Sequence, residues 1–289
     1  MKKLKSGIFG LNQLLDGGIN EHSTTVIIGA AGTGKTTCAI QFIKRGLELK
    51  QLGIFVSLDE NRDQIIKEAI AMGWEDINDF VEEEKLIFID ASGKDFSSFI
   101  KEELQSFVDK WQGSDTRVVI DPLTPVIWTV ENRYEQRELL SIMLKETRRI
   151  GTVLCTLEEH SAVGTLSGGE IIIPMYLADC VVHLKHAEAE DPASGILRII
   201  KCRNSRHSKL AHRYKIVRGF GLMVQPRPYY RKRSRELPEK IAEELKTKSA
   251  LSKPAVHKLE SLLGELTDGD LDGLDMQQVI NNIFDEYGD

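Results

Sequence analysis

The chain has no uninterrupted apolar run approaching the roughly 20 residues that a spanning helix needs, so a transmembrane helix is not expected. Its start, Met1-Lys2-Lys3-Leu4-Lys5, has the charge of a secretory n-region. Asn12, Gln13 and Asp16 then interrupt what would have to be the apolar segment, so no leader is expected either. No two of the four cysteines (Cys38, Cys155, Cys180, Cys202) stand in C-x-x-C spacing. Three lie in apolar contexts, which points to buried reduced thiols and a cytoplasmic protein. Excess positive charge is missing as well. A net charge of −6 and a pI near 5.8 argue against a chain built mainly to coat nucleic acid.

What is present is a core and one informative loop. A length of 289 residues with 41% hydrophobic content suits one large α/β domain with an appendage. Thr24-Thr25-Val26-Ile27-Ile28 reads as a buried strand, and Cys38 to Gly46 carries apolar residues at helical spacing. Between them stands Gly29-Ala30-Ala31-Gly32-Thr33-Gly34-Lys35-Thr36-Thr37, a G-x-x-x-x-G-K-[ST] phosphate loop in its required context. Glycines let successive N–H groups converge on a phosphate, and the following helix aims its positive dipole end at the same charge. Lys35 would bridge the β- and γ-phosphates of a nucleoside triphosphate, and the Thr36 hydroxyl would ligate Mg²⁺.

Further strands are expected at 53–58, 86–90, 117–121 and 152–156, with helices over 62–72, 96–111 and 134–150 and a loop over 122–133. Asp121, an acid closing an apolar strand after a phosphate loop, fits the second nucleotide motif, which holds Mg²⁺ through water. Asp59 and Glu60 close another strand. From chemistry alone they either orient the attacking water or form an acidic turn capping the next helix. Residues 179–184 and 195–201 read as neighbouring antiparallel strands, with His183 and His186 as ordinary strand and turn histidines. Residues 161–169 are small and flexible in character, and 216–224 reads as strand-turn-strand.

Ser6-Gly7-Ile8-Phe9-Gly10-Leu11-Asn12-Gln13-Leu14-Leu15-Asp16-Gly17-Gly18-Ile19, then a strand, then the phosphate loop, resembles the opening of RecA-like ATPases of the KaiC and RadA type. The likeness covers Ser6 to about Pro226. It implies a RecA-like P-loop fold: a twisted, mostly parallel sheet flanked by helices, with additional antiparallel strands. KaiC-like proteins carry a Glu-Glu catalytic pair where this chain has Asp59-Glu60. The shorter Asp59 sets its carboxylate back by about one C–C bond, so slow hydrolysis, carried mainly by Glu60, is expected. The resemblance also assigns the basic stretch from Lys201. Lys201, Arg203, Ser205, His207 and Lys209 match the family's K-x-R-x-[ST]-x-H-x-K, whose side chains reach the nucleotide of the neighbouring subunit. Lysine and arginine two apart on a strand share a face. A head-to-tail homo-oligomer follows, by analogy a ring of six.

The expected function is therefore an ATP-binding KaiC-like ATPase, hydrolysing ATP slowly at ring interfaces in a regulatory or signalling role. Alternatives are a barely hydrolysing scaffold of the archaeal flagellar-motor type, or an ATP-dependent DNA-binding recombination accessory of the RadA kind. The loops after the fourth and fifth strands offer Trp128 and Arg133 but almost no lysine, a poor footprint for a DNA channel. Autophosphorylation as in the second KaiC repeat is not expected, because Met175-Tyr176 stand where that repeat has Ser-Thr.

Residues 1–226 thus form the ATPase domain, and 227–289 an acidic appendage with a basic linker. Residues 226–235 read as a solvated, proline-stiffened connector and 236–248 as a marginal helix. The D-x-D-x-D-G run from Asp268 lacks a calcium loop's twelfth ligand, because Val279 stands there. Met276, Val279, Ile280, Ile283 and Phe284 make an apolar strip on a short helix over 274–286, which packs on its own domain or enters a partner's groove.

Overall fold

The computed structural model describes residues 2–160, 166, 169–187, 194–225, 278, 281–282 and 285–286. The expected linker, the marginal helix and the D-x-D-x-D-G run lie outside these residues, as does most of 161–168.

In chain order the elements begin with β1 (Lys3–Leu4), α1 (Leu11–Leu14), β2 (Ile19–Asn20), β3 (Thr24–Gly29), α2 (Lys35–Glu48), β4 (Leu52–Ser57), α3 (Arg62–Ala71), α4 (Ile77–Glu82) and β5 (Leu86–Asp90). They continue with α5 (Gly93–Glu102), α6 (Leu104–Trp111), β6 (Thr116–Asp121), α7 (Thr124–Trp128), α8 (Arg133–Ile150) and β7 (Gly151–Glu158). Last come α9 (Gly169–Leu177), β8 (Cys180–His186), β9 (Ser194–Cys202), β10 (Ala211–Val217) and β11 (Gly221–Val224).

Nine strands form one sheet in the order β11-β10-β9-β8-β3-β7-β6-β4-β5. From β8 to β5 every pairing is parallel, while β9, β10 and β11 extend the sheet antiparallel. The central strands are buried on both sides, which is why they read as near-continuous apolar runs. Their alternation splits the core in two. Ile27, Phe55, Val119 and Leu154 face α2, whereas Val26, Ile54, Val118 and Val153 face the layer containing α8.

Three expectations need correction. The single helix expected over 96–111 is two, α5 and α6, because Glu103 leaves helical geometry between them. Phe96, Ile100, Leu104 and Val108 all still reach the core. The stretch after Asp121 is not all loop, since Thr124–Trp128 turns once as α7 with a proline in its first turn, where a missing N–H costs nothing. Helix α9 begins at the end of the stretch expected to be flexible. Its isoleucine run and Pro174 carry little helical signal, yet Ile171 and Ile173 are buried.

The described tail residues Gln278, Asn281, Asn282, Asp285 and Glu286 are helical, and Asn282, Asp285 and Glu286 contact the ATPase domain. Asn282 donates to the Val224 carbonyl at 3.1 Å, and Lys5 pairs with Asp285 at 3.2 Å. Glu286 is only 1% exposed. It accepts from the Gly7 amide at 2.9 Å, from Arg45 Nε at 3.0 Å and from the Asn12 side chain. Burial nevertheless pushes its carboxyl above the usual range, against the pull of Arg45, Asn12 and Gly7. These contacts are made by polar residues spaced three and four apart; the apolar strip read in the sequence, Met276, Val279, Ile280, Ile283 and Phe284, lies outside the described residues.

Candidate nucleotide site

All parallel strands point their carboxyl ends to one edge, where ligands bind in open α/β sheets. Loop 29–36 leaves β3 there. Gly32 and Gly34 have φ of 74° and 88°, which side-chain-bearing residues rarely adopt. Gly29 is needed for space instead, since a Cβ there would stand 2.5 Å from the Thr33 hydroxyl. Thr33 donates to the Ala30 carbonyl at 2.8 Å, and the Lys35 ammonium reaches the same carbonyl at 3.0 Å. The first turn of α2 presents N–H groups that have no partner inside the helix.

Two strands away, Asp121 closes β6 and is 5% exposed. It accepts a hydrogen bond from Thr156 on the intervening β7, and the Thr36 hydroxyl at the start of α2 is near enough to act on its acidity. Burial raises its carboxyl above the ordinary range, although both hydroxyls and Lys35 oppose the shift and Glu60 adds to it. Lys35 is itself lowered by burial, partly offset by Glu158 and Asp121.

Asp59 and Glu60 follow β4 at the same edge, both exposed. The Ser57 hydroxyl donates to the Glu60 carbonyl and pins that turn. Neither carboxylate caps α3. Asn61 does so, accepting from the Gln64 amide at 3.0 Å, which removes the capping reading for the acidic pair. Burial raises Glu60, and the neighbouring Glu68 and Asp59 raise it further.

The basic stretch lies elsewhere. Cys202 pairs with Cys180, and Cys180 pairs with Thr25 at the opposite end of β3 from the glycine loop. Lys201 donates to the carbonyls of Met175 (3.0 Å), Tyr176 (3.0 Å) and Ala178 (2.6 Å) as α9 ends, and Arg203 joins it on Tyr176 at 2.9 Å. The two cations therefore share a face, as expected. Burial, then Arg203, lowers the Lys201 ammonium. Ser205 is turned inward, donating to the Leu15 carbonyl at 3.0 Å and accepting from Lys3 at 2.5 Å. His207 contacts Lys209 at 3.3 Å, and burial, then that lysine, lowers the imidazole.

Three groups near the loop were not singled out as site residues from sequence. His186 bonds to the Ala31 carbonyl at 2.9 Å, and Tyr214 donates to the Thr33 carbonyl at 2.7 Å, tying the loop to β8 and β10. His183 and Glu159 form a buried pair at 2.7 Å. Only strand order brings these together, so no local pattern signals them.

Strand, glycine loop, helix and a buried acid two strands away make this an ATP-binding P-loop protein of RecA-like fold. The KaiC ATPase family model matches residues 4–229, and the chain belongs to that family. It is 30% identical over 239 residues to the circadian clock oscillator protein KaiC of Synechococcus elongatus, covering 78% of this chain and 44% of that one. It is 28% identical over 240 residues to KaiC of Thermostichus vulcanus, covering 77% and 44%. The chain thus spans less than half the length of these relatives. A KaiC-like protein from the hyperthermophilic archaeon Pyrococcus horikoshii matches in structure with a TM-score of 0.64 at 30% identity, over 78% of this chain and 99% of that one.

Proposed function

We propose that the protein hydrolyses ATP slowly in pockets shared between subunits of a homo-oligomeric ring, six by analogy with KaiC, and serves a regulatory or signalling role. The observation that carries this is the placement of Lys201 and Arg203. Along β8 from Cys180 to Leu184, the partner of Gly29, the chain advances four residues, or about 13 Å. The cations sit at the near end of that span and the glycine loop begins at the far end. They are badly placed for their own loop and well placed for a loop brought up by another copy. Such a contact joins two different surfaces, so it repeats head to tail and closes into a ring when the rotation allows.

Within each pocket, residues 29–37 would cradle the phosphates, with Lys35 across the β- and γ-phosphates. Glu60, whose carboxyl is raised above its ordinary range by burial and by Glu68 and Asp59, would orient water and take its proton, assisted by Asp59. Lys201 and Arg203 of the adjoining copy would balance charge on the transferred phosphoryl oxygens. Ser205, His207 and Lys209 would contribute as the family pattern has them, although Ser205 would first have to leave the Leu15 carbonyl.

The residues present fit Mg²⁺. Asp121 is a buried carboxylate, raised by burial, with the Thr36 hydroxyl and the Lys35 ammonium close enough to oppose that rise. Thr36 would bind the ion directly and Asp121 through water, and the ion would neutralise phosphate charge. Four free cysteines suit a cytoplasmic setting.

The test is steady-state phosphate release by wild type and by Lys201→Ala/Arg203→Ala, with subunit number measured alongside. Loss of turnover in an intact oligomer supports the reading; full turnover in the double variant, or in a monomer, overturns it. Unchanged slow release in Glu60→Gln would favour a nucleotide-binding scaffold.

A further inference from the structure

We propose that Cys180 and Cys202 are an oxidisable dithiol that closes into a cross-strand disulfide and clamps the strand end carrying Lys201 and Arg203. The two cysteines face each other directly on antiparallel β8 and β9. The flanking ladder bond runs from the Arg203 amide to the Asp179 carbonyl at 2.8 Å, one residue outside the pair on each strand. That pattern defines a non-hydrogen-bonded pair, in which Cα atoms approach to about 4.5 Å and side chains lie closest. A disulfide requires a Cα separation of roughly 4.4–6.8 Å, so the backbone is already in place. Each thiol shifts the acidity of the other, and the Lys3 ammonium and Ser205 hydroxyl act on Cys202 in the same direction as Cys180.

The two sulfurs differ as an attacking and a resolving thiol should. Cys202 is partly exposed, and hydrogen bonds with the help of the Lys3 charge bring its thiol down to about 7, whereas Cys180 is buried and held well above its ordinary value. Cys38 and Cys155 are buried, with thiols pushed up by burial, Cys155 to about 12. They are inert internal controls.

The oxidant is a low-molecular-weight disulfide. The Cys202 thiolate attacks one of its sulfurs, forming a mixed disulfide and expelling one small thiolate. Cys180 passes its proton to that thiolate and attacks the Cys202 sulfur, forming the protein disulfide and expelling the second. Two protein thiols are oxidised, and one small disulfide is reduced to two thiols.

The test is incubation of the full chain with oxidised glutathione, acid quenching, and intact mass with non-reducing peptide mapping. The expected result is loss of two hydrogens, a linked peptide joining Cys180 to Cys202, and reversal by dithiothreitol. Cys180→Ser should instead trap one glutathione on Cys202, and Cys202→Ser should give neither product. Amide exchange at Arg203 should slow on oxidation. Failure of the folded wild-type protein to form the linked peptide overturns the site, as does equal modification of Cys38 or Cys155. Linkage without slower exchange at Arg203 overturns the clamp. None of these readouts depends on ATP turnover, so they stand apart from the shared-pocket reading.

Discussion

The two ends of β3 are built on different terms. At its carboxyl end the functional groups hold one another: Asp121 takes the Thr156 hydroxyl of β7, Lys35 folds onto its own loop, and His186 and Tyr214 brace that loop from β8 and β10. At the amino end Lys201 and Arg203 donate to backbone carbonyls at and just beyond the end of α9. One subunit suffices to pre-organise the first set. The second is a pair of cations held on a helix terminus, where positive charge is favoured. On the shared-pocket reading proposed above, one fold would complete the phosphate cradle and leave its charge-balancing half to another copy.

That contrast can be broken by mixing. Lys201→Ala/Arg203→Ala should lower phosphate release by about 10³-fold, as loss of a cation supplied in trans does. Lys35→Ala should also silence the protein. Combining the two inactive variants should restore part of the rate, because some interfaces then join an intact loop to intact cations. No recovery in demonstrably mixed oligomers would count against a divided pocket.

Glu60→Gln should cost about 10²-fold in phosphate release with nucleotide binding retained, placing the base at the carboxyl end. Glu286→Ala should destabilise docking of the tail by about 3 kcal/mol, because Arg45 loses its buried partner while the cradle itself is untouched. Thermal unfolding and nucleotide affinity, measured together, would separate those effects. The smallest change is kinetic. Carbamidomethylation of Cys202 should accelerate as pH rises through about 7, because the thiolate is the nucleophile, while Cys155 stays unlabelled.

Legibility followed locality. The glycine loop could be read because all its features are contiguous and flanked by the right elements. Asp121 could be read because strand and acid are contiguous and follow a phosphate loop. The Asp59-Glu60 pair stayed ambiguous until Asn61 was seen to cap α3, a choice made by backbone geometry one residue away. Thr156 on Asp121 and Glu159 on His183 could not be read, because strand order rather than spacing unites them. The apolar strip of the tail lies outside the described residues, while the buried carboxylate of Glu286 could not be read because its partners are 241 and 279 residues away.

That carboxylate makes the Gly7 amide a reporter. With Glu286 seated, this N–H is hydrogen-bonded and shut off from water; with the tail lifted, it exchanges freely. Arg45 belongs to the helix that begins at the phosphate loop, so one protection factor in the first turn of the chain would register whether nucleotide loading and the far terminus sense each other.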